Sequence, residues 1–162
     1  MKNTALSCLA AALLIPVLVS AAGAELSAET RQALVDADLI YTATDRKDGS
    51  VSTVAPIWFW YDGQSDFLYT TTSPESWKAK RIARGSPLHI WVGEEDGPYF
   101  LGEPEPLTDA ETIDRVGAAY SDKYFIAWLG FFRPRSERVA DGRTLAYKVR
   151  LREAPAPVPA DD

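Results

Sequence analysis

The chain has 162 residues, a formal net charge of −6, one histidine and one cysteine. This charge argues against a nucleic-acid-binding protein, because such proteins carry an extended basic surface. A single cysteine excludes an intrachain disulfide, and a single histidine excludes a histidine-based metal cluster. The length is sufficient for one hydrophobic core, and the sequence contains no internal repeat, so one folded domain is expected.

The first 24 residues have the pattern of a signal peptide. Lys2 provides a positive start, residues 5–19 are almost entirely apolar, and Ala22-Gly23-Ala24 matches a signal-peptidase site. Cleavage there would leave residues 25–162, of which residues 25–153 are expected to form a secreted or periplasmic domain. No stable membrane anchor is expected after cleavage, since the apolar stretch is short for a membrane span. Residues 154–162 contain three prolines and are predicted to be a disordered tail.

After this segment, the sequence predicts a short helix followed by three strands. Ser27 is the expected N-cap, and the helix would run to about Ala37 with Leu34 and Val35 facing the core. Runs of β-branched and aromatic residues, separated by Asp-Gly turns, then predict strands. These strands cover residues 39–44, 51–61 and 67–72.

The segment after the third strand concentrates positive charge in an acidic chain. Ser73 is the expected N-cap, Pro74 the first helical residue and Gly85 the terminating glycine. The preceding strand ends in three hydroxyl side chains, at residues 70–72. Hydroxyls, a helix start and cations together predict a phosphate site, and the competing interpretation is a solvated basic face. The cations are Lys78, Lys80, Arg81 and Arg84.

The remaining elements complete a mainly β domain. Strands are predicted over residues 88–92, 99–104 and 144–151. Between the last two, Thr108 and Glu111 have the spacing of a capping box that starts a helix. Strands joined by hairpins, with a helix inserted after the third strand, predict an antiparallel β-barrel with α-helices rather than a parallel α/β sheet.

Several residues in this order resemble a known family. Asp62 is followed by Tyr69-Thr70 at the spacing found in this family, and then by the motif Ser76-Trp77-Lys78-Ala79-x-x-Ile82. Leu101-Gly102-Glu103 is a weaker later match. Together they resemble the FMN-binding split barrels related to pyridoxamine 5'-phosphate oxidase, over residues 39–151. The resemblance implies an FMN-binding split barrel with antiparallel, Greek-key-like topology.

The resemblance also implies where a cofactor would bind. The flavin phosphate would lie near Thr70, Ser76 and Lys78, with Lys80 or Arg81 as further cation donors, and the backbone of residues 54–59 would follow the ring system. Such sites form between two subunits, so a homodimer is implied, together with a small-molecule substrate or ligand. The candidate cofactor-binding residues are Ala55, Ile57, Trp58, Tyr69, Thr70, Ser76, Lys78, Lys80 and Arg81.

The departures from the family pattern leave two functions open. Val54 and Phe59 occupy places where the true oxidases carry arginine and lysine, so oxidation of pyridoxamine phosphate itself is not expected. Small relatives bind flavin, deazaflavin or haem. One interpretation is an exported FMN-dependent oxidoreductase acting on an unknown small molecule, without an assigned catalytic residue. The other is an exported flavin- or haem-binding protein without turnover.

Other candidate residues each have a structural alternative. His89 is either an axial haem ligand or an ordinary strand histidine that shares a face with Trp91. The acidic residues 94–96 form either a cation site or a hairpin loop. Trp58 is expected on the strand face opposite Phe59, either stacked on a flavin ring or packed in the core or dimer interface. The apolar residues 125–132 are expected to close the barrel or the dimer.

Overall fold

The computed structural model describes residues 26–124 and 133–157. The predicted signal peptide, the apolar segment 125–132 and the end of the predicted tail lie outside these residues. In the two described ranges, no helix combines the length and apolar character needed to cross a membrane. The elements are α1 Ala28–Asp36, β1 Ile40–Thr44, β2 Ala55–Ile57, β3 Trp60–Asp62, β4 Phe67–Thr72, α2 Trp77–Ile82, β5 Leu88–Val92, β6 Tyr99–Pro106, α3 Ala110–Lys123, α4 Ser136–Ala140 and β7 Leu145–Glu153.

All strands belong to one antiparallel sheet. The seven strands lie in the order β2-β1-β5-β6-β7-β4-β3, and every neighbouring pair is antiparallel. The sheet curls into a half-barrel. The first and last strands of this order, β2 and β3, are separated in the sequence only by residues 58–59. These two residues therefore connect the two ends of the sheet, and the predicted mainly β fold is confirmed.

The break between β2 and β3 corrects the predicted continuous strand over residues 51–61. The backbone at the break is hydrogen-bonded to side chains instead of a neighbouring strand. The Phe59 N–H donates to Tyr124 Oη over 3.1 Å, and the Trp58 carbonyl accepts from Thr70 Oγ1 and Tyr120 Oη, each over 3.0 Å. Since buried backbone groups need partners, these three side chains allow the chain to leave one strand and enter another.

The apolar side chains form two clusters on either side of this corner. Phe59 and Tyr61 are buried in the main core with the inward residues of the sheet, whereas Trp58 and Trp60 pack against the cluster beneath α3. This alternation was expected for the aromatic segment. In α1, Leu34 is buried as predicted, but Val35 is 58% exposed, which corrects its assignment to the core.

The start of α2 lies three residues later than predicted. Ser76, not Ser73, is the N-cap: its Oγ accepts from the Ala79 N–H over 3.0 Å and lies 3.0 Å from Thr72 Oγ1. Ser73 instead forms the preceding turn, because its carbonyl accepts from the Ser76 N–H. The predicted end is confirmed, since Gly85 has a φ of +91°, a conformation that glycine adopts without steric strain.

Of the two other predicted helix starts, one is confirmed and one is corrected. Ser27 caps α1 as predicted, accepting from the Thr30 N–H over 3.1 Å. The cap of α3 is Asp109, whose carboxylate accepts from the Thr112 N–H over 2.8 Å, rather than Thr108. The backbone preceding the helix is still tied to β7, because the Leu107 N–H donates to the Ala146 carbonyl. The helix thus starts one residue later than the predicted cap implies.

Candidate cofactor-binding site

Helix α2 lies against β1, and two of its cations contact buried hydroxyls of that strand. Lys78 Nζ donates to Thr42 Oγ1 over 2.8 Å, and Arg81 Nη1 donates to Thr44 Oγ1 over 3.3 Å. Residues three apart share a helix face, and residues two apart share a strand face, so the two pairs form side by side. Both threonines are 1% exposed. The basic helix is therefore more than a solvated face.

Lys78 is a largely buried cation. Its one hydrogen bond within the described residues is to a neutral hydroxyl, and it forms no ion pair with any carboxylate of those residues. Burial alone lowers the pKa of Lys78 to about 8. An anion placed beside the ammonium group would stabilise its charged form and raise this pKa again. The environment of Lys78 thus fits a phosphate group.

The strand β2 holds two other predicted residues, and it lies next to β1, the strand that Lys78 contacts. Ala55 pairs with Thr42 across the sheet, and Ile57 pairs with Ile40. Ala55 is exposed and Ile57 is half-buried. Since β2 is the last strand of the sheet, its outer edge has no strand partner among the described residues. Thr42 therefore contacts the Lys78 ammonium group and pairs with Ala55, so this cation lies beside the β1–β2 strand pair.

The hydroxyl residues near α2 have defined structural roles. Ser76 caps the helix and contacts Thr72, as described above. Thr70 is buried and donates to the Trp58 carbonyl, so it holds the β2–β3 corner. Tyr69 is buried on the other face of β4, where its ring stacks on Trp60 with a centroid distance of 5.3 Å.

Two cations of α2 turn away from β1. Lys80 is exposed, with its Nζ 3.8 Å from Glu75 Oε2 and 5.4 Å from the centroid of the Trp77 ring. Arg84 is also exposed and donates to the Lys80 carbonyl over 3.1 Å. The structure thus separates the four predicted cations into two that contact the sheet and two that lie at the surface.

Trp58 stacks on a neighbouring aromatic ring. Its ring is nearly parallel to that of Tyr124, with centroids 4.5 Å apart and an interplanar angle of 6°. Tyr120 contacts the same indole edge-on. Packing was one of the two roles expected for Trp58, and the half-buried side chain still reaches the surface.

Sequence reasoning missed four residues that organise the site. Thr42 and Thr44 lie on the inward face of β1, and strand alternation with Ile40 could have identified them. Tyr120 and Tyr124 are four residues apart on α3, a spacing that places both on one helix face. The Tyr124 hydroxyl also lies 2.8 Å from the Asp38 carbonyl and 3.0 Å from the Phe59 carbonyl. Burial raises the pKa of Tyr124 to about 12, so it remains a neutral donor.

His89 has the environment of a structural strand histidine. It is 8% exposed, its Nε2 lies 2.7 Å from Asp45 Oδ1, and its Nδ1 lies 2.7 Å from Tyr99 Oη. It shares a face with Trp91, as predicted. Both ring nitrogens are engaged, which argues against an axial haem ligand.

In the described part of the chain, no three histidine, cysteine or acidic residues cluster to hold a metal ion. The acidic residues 94–96 form the exposed β5–β6 turn.

Two open depressions flank the turn that follows α2, and they share Gly85 and Ser86. The first has a volume of about 320 Å³ and the second about 380 Å³. The first is lined by Asp45, Arg46, Lys47, Arg81, Arg84, Gly85 and Ser86. The second is lined by Ile82, Gly85, Ser86, Pro87, Leu101, Glu103, Pro104 and Arg152.

No protein-family model matches the sequence, and no curated protein matches it either. Solved structures do share its fold. A conserved hypothetical protein from Mycobacterium tuberculosis is 16% identical with a TM-score of 0.55, covering 87% of this chain and 96% of that one. The "putative pyridoxamine 5'-phosphate oxidase" from Listeria innocua is 15% identical with a TM-score of 0.51, covering 74% and 88%.

A third similar structure is HutZ, the heme storage protein from Vibrio cholerae. It is 13% identical with a TM-score of 0.51, and the alignment covers 79% of this chain and 89% of that one. Identities at this level establish the architecture and not the chemistry. The resemblance read from the sequence is thus confirmed as a shared architecture: this chain has the split-barrel fold of the pyridoxamine 5'-phosphate oxidase-like proteins.

Proposed function

We propose that this chain is an exported, homodimeric FMN-binding protein and an oxidoreductase of the pyridoxamine 5'-phosphate oxidase-like group that acts on a small molecule. The observation that carries the proposal is the environment of Lys78. A largely buried ammonium group without an ion pair among the described residues is costly unless an anion completes its environment. The phosphate of FMN supplies that anion.

The residues around Lys78 supply complementary contacts for FMN. Ser76 offers a hydroxyl, and Arg81 offers the guanidinium N–H groups that Thr44 does not use. Charged hydrogen bonds of this kind contribute about 1.5–3 kcal/mol each. The open edge of β2, with Ala55 and Ile57, provides backbone groups for the ring system, and Lys80 adds long-range positive charge. The bound flavin would supply hydride transfer, while the chain binds and orients it.

The position of Phe59 supports a reaction different from that of the true oxidases. Phe59 is fully buried in the main core, with Lys123 Nζ 3.7 Å from its ring centroid. A lysine at this position would have to leave the core to reach a ligand. Phe59 therefore contributes to packing of the core and does not contact a ligand. The proposed substrate is a small molecule other than pyridoxamine phosphate.

A flavin- or haem-binding protein without turnover is the second candidate. The likeness to a heme storage protein favours it, because the split barrel can hold haem. His89 is a poor ligand in its present environment, so haem would need another residue. A deazaflavin would use the same phosphate contacts as FMN.

Spectroscopy and turnover test the proposal. The purified protein, incubated with FMN and separated from free cofactor, should retain flavin absorption and oxidise a reduced nicotinamide in the presence of an electron acceptor. Retained flavin without turnover selects the binding protein. A Soret band after incubation with haem, with no retained flavin, contradicts the proposal.

A further inference from the structure

A second basic region lies beyond the proposed flavin site, in the first depression described above. It lies between the turn at residues 45–47 and the end of α2. Four of its lining side chains are cations, and one is a carboxylate. In a chain with a net charge of −6, this concentration of positive charge is unexpected without a ligand. The cations are Arg46, Lys47, Arg81 and Arg84.

The positive charge of the depression is only partly offset by neighbouring carboxylates, since Asp48 interacts electrostatically with Arg46. None of the four cations forms an ion pair within the described ranges. The one lining carboxylate, Asp45, has its Oδ1 2.7 Å from His89 Nε2, so this oxygen already has a partner. Several guanidinium N–H groups are consequently left to contact a ligand or water.

Hydrogen bonds between distant segments hold the depression in shape. The Asp45 N–H donates to Ser86 Oγ over 2.8 Å, which ties the turn to the residues after α2. Arg46 Nη1 donates to the Val51 carbonyl over 2.7 Å, and Arg81 is held by Thr44. Since these contacts fix the lining residues, the entropy lost when a ligand binds is reduced.

We infer that this depression binds an oxyanion, either a phosphate or a carboxylate group. Arginine presents planar N–H groups that match both anions, and a depression of about 320 Å³ accommodates a small ligand. The site is separate from the one proposed for FMN, where Lys78 is the central cation. Only Arg81 belongs to both sets, and the inference does not depend on flavin binding.

Titration calorimetry of the flavin-free protein with inorganic phosphate tests the inference at fixed ionic strength. Arg84→Gln is the main variant, because Arg84 is exposed and the described hydrogen bond of its side chain is to the Lys80 carbonyl alone. It should weaken phosphate binding at least about fivefold, the loss of one charged contact partly screened by solvent. Arg115→Gln removes the same charge near Trp60 and should leave the affinity unchanged.

Two further variants separate this site from its alternatives. Lys78→Met removes any phosphate bound at the proposed flavin site and should retain the binding that Arg84→Gln weakens, since Lys78 does not line the depression. Asp45→Asn removes the one carboxylate that lines the depression among the described residues, and it should tighten binding at least about threefold. A parallel titration with acetate distinguishes a carboxylate ligand from a phosphate.

Binding of phosphate or acetate that Arg84→Gln weakens and Asp45→Asn strengthens supports the site. The inference is overturned when neither anion binds at millimolar concentration, or when Arg84→Gln and Arg115→Gln have equal effects. Loss of phosphate binding in Lys78→Met alone also overturns it, because the anion then occupies the flavin phosphate site. Near-ultraviolet circular dichroism of each variant verifies that the fold is retained.

Discussion

At the scale of single residues, Lys78 combines a structural cost with a binding function. Its ammonium group is largely buried, and Thr42 supplies one of the three hydrogen bonds that it can donate. The protein tolerates this arrangement although an apolar side chain would fill the same space without desolvation of a charge. Such residues often mark binding sites, where a ligand completes the interaction.

The depressed pKa of Lys78 predicts a specific pH dependence of stability. Because this pKa is about 8 in the folded protein and has its ordinary value of 10.5 in the unfolded chain, the unfolded state binds more protons between these values. The contribution of Lys78 to the free energy of unfolding is therefore lowest below pH 8. It increases as the pH rises from about 8 to 10.5. Lys78→Met should raise the free energy of unfolding at pH 7 by about 1 kcal/mol and remove this increase.

Urea unfolding of the flavin-free protein at pH 7 and pH 9.5 measures both effects. Burial also lowers the pKa of Lys123 to about 8, so the wild-type profile contains two such contributions. Lys123→Met should remove only its own contribution and provides the comparison. Identical pH profiles for the wild type and Lys78→Met would contradict the assigned environment.

At the scale of elements, the β2–β3 corner depends on α3. Tyr124 accepts from the Phe59 N–H, and its Oη also lies within hydrogen-bond distance of two backbone carbonyls, one at Asp38. A phenylalanine would leave these buried backbone groups without a partner. Unsatisfied groups of this kind cost about 1–3 kcal/mol each.

Tyr124→Phe should therefore lower the free energy of unfolding by about 2–3 kcal/mol. Tyr41→Phe is a matched control, because the Tyr41 hydroxyl makes no hydrogen bond within the described residues, and it should change stability by less than about 0.5 kcal/mol. Urea denaturation measures both variants. Equal stability losses would show that the hydroxyl does not hold the corner.

Gly102 in β6 allows the strands to pack closely at the barrel interior. A Cβ atom there would lie 2.6 Å from Val149 Cγ1 and 2.8 Å from Ile90 Cδ1. Gly102→Ala should thus destabilise the fold by about 1–3 kcal/mol through overpacking. At Gly63 the nearest atom would be 3.8 Å away, so Gly63→Ala is the control that thermal unfolding should find nearly neutral.

The elements that local patterns predict well are those decided by neighbouring residues. The strand at residues 88–92 was predicted with its observed bounds, because its apolar run is bordered by turn residues. The break at residues 58–59 was missed, since both halves have strand character and the deciding contact comes from Tyr124, 65 residues away. The cap of α2 was ambiguous because Ser73 and Ser76 are equally good caps, and the contact with Thr72 favours Ser76.

The candidate site was predictable to a similar extent. The motif around Lys78 identified a basic helix, and the structure places its two inward cations on the sheet. Their partners Thr42 and Thr44 lie 36 and 37 residues earlier in the chain, so local spacing alone could not reveal the contacts. Residue spacing places Lys78 with Arg81 and Lys80 with Arg84, but only packing against β1 decides which pair faces the sheet.

At the scale of the whole molecule, the proposed homodimer would cover exposed features near the site. Trp77 is 68% exposed beside the basic residues of α2, and the outer edge of β2 has no strand partner among the described residues. Exposed aromatic side chains and open strand edges are typical of surfaces that bind partners. We expect sedimentation analysis at micromolar concentration to give twice the monomer mass. A monomer that still binds FMN would contradict a site formed between two subunits.

The most direct measurement compares FMN and riboflavin binding in the wild type, Lys78→Met and Lys80→Met. Riboflavin lacks the phosphate, so the ratio of the two dissociation constants isolates the phosphate contact. Lys78→Met should weaken FMN binding more than about tenfold, the loss of a charged hydrogen bond, and leave riboflavin binding nearly unchanged. Lys80→Met should have a smaller effect, because Lys80 is exposed and close to Glu75. An unchanged ratio in Lys78→Met would contradict the proposal that this buried lysine binds a flavin phosphate.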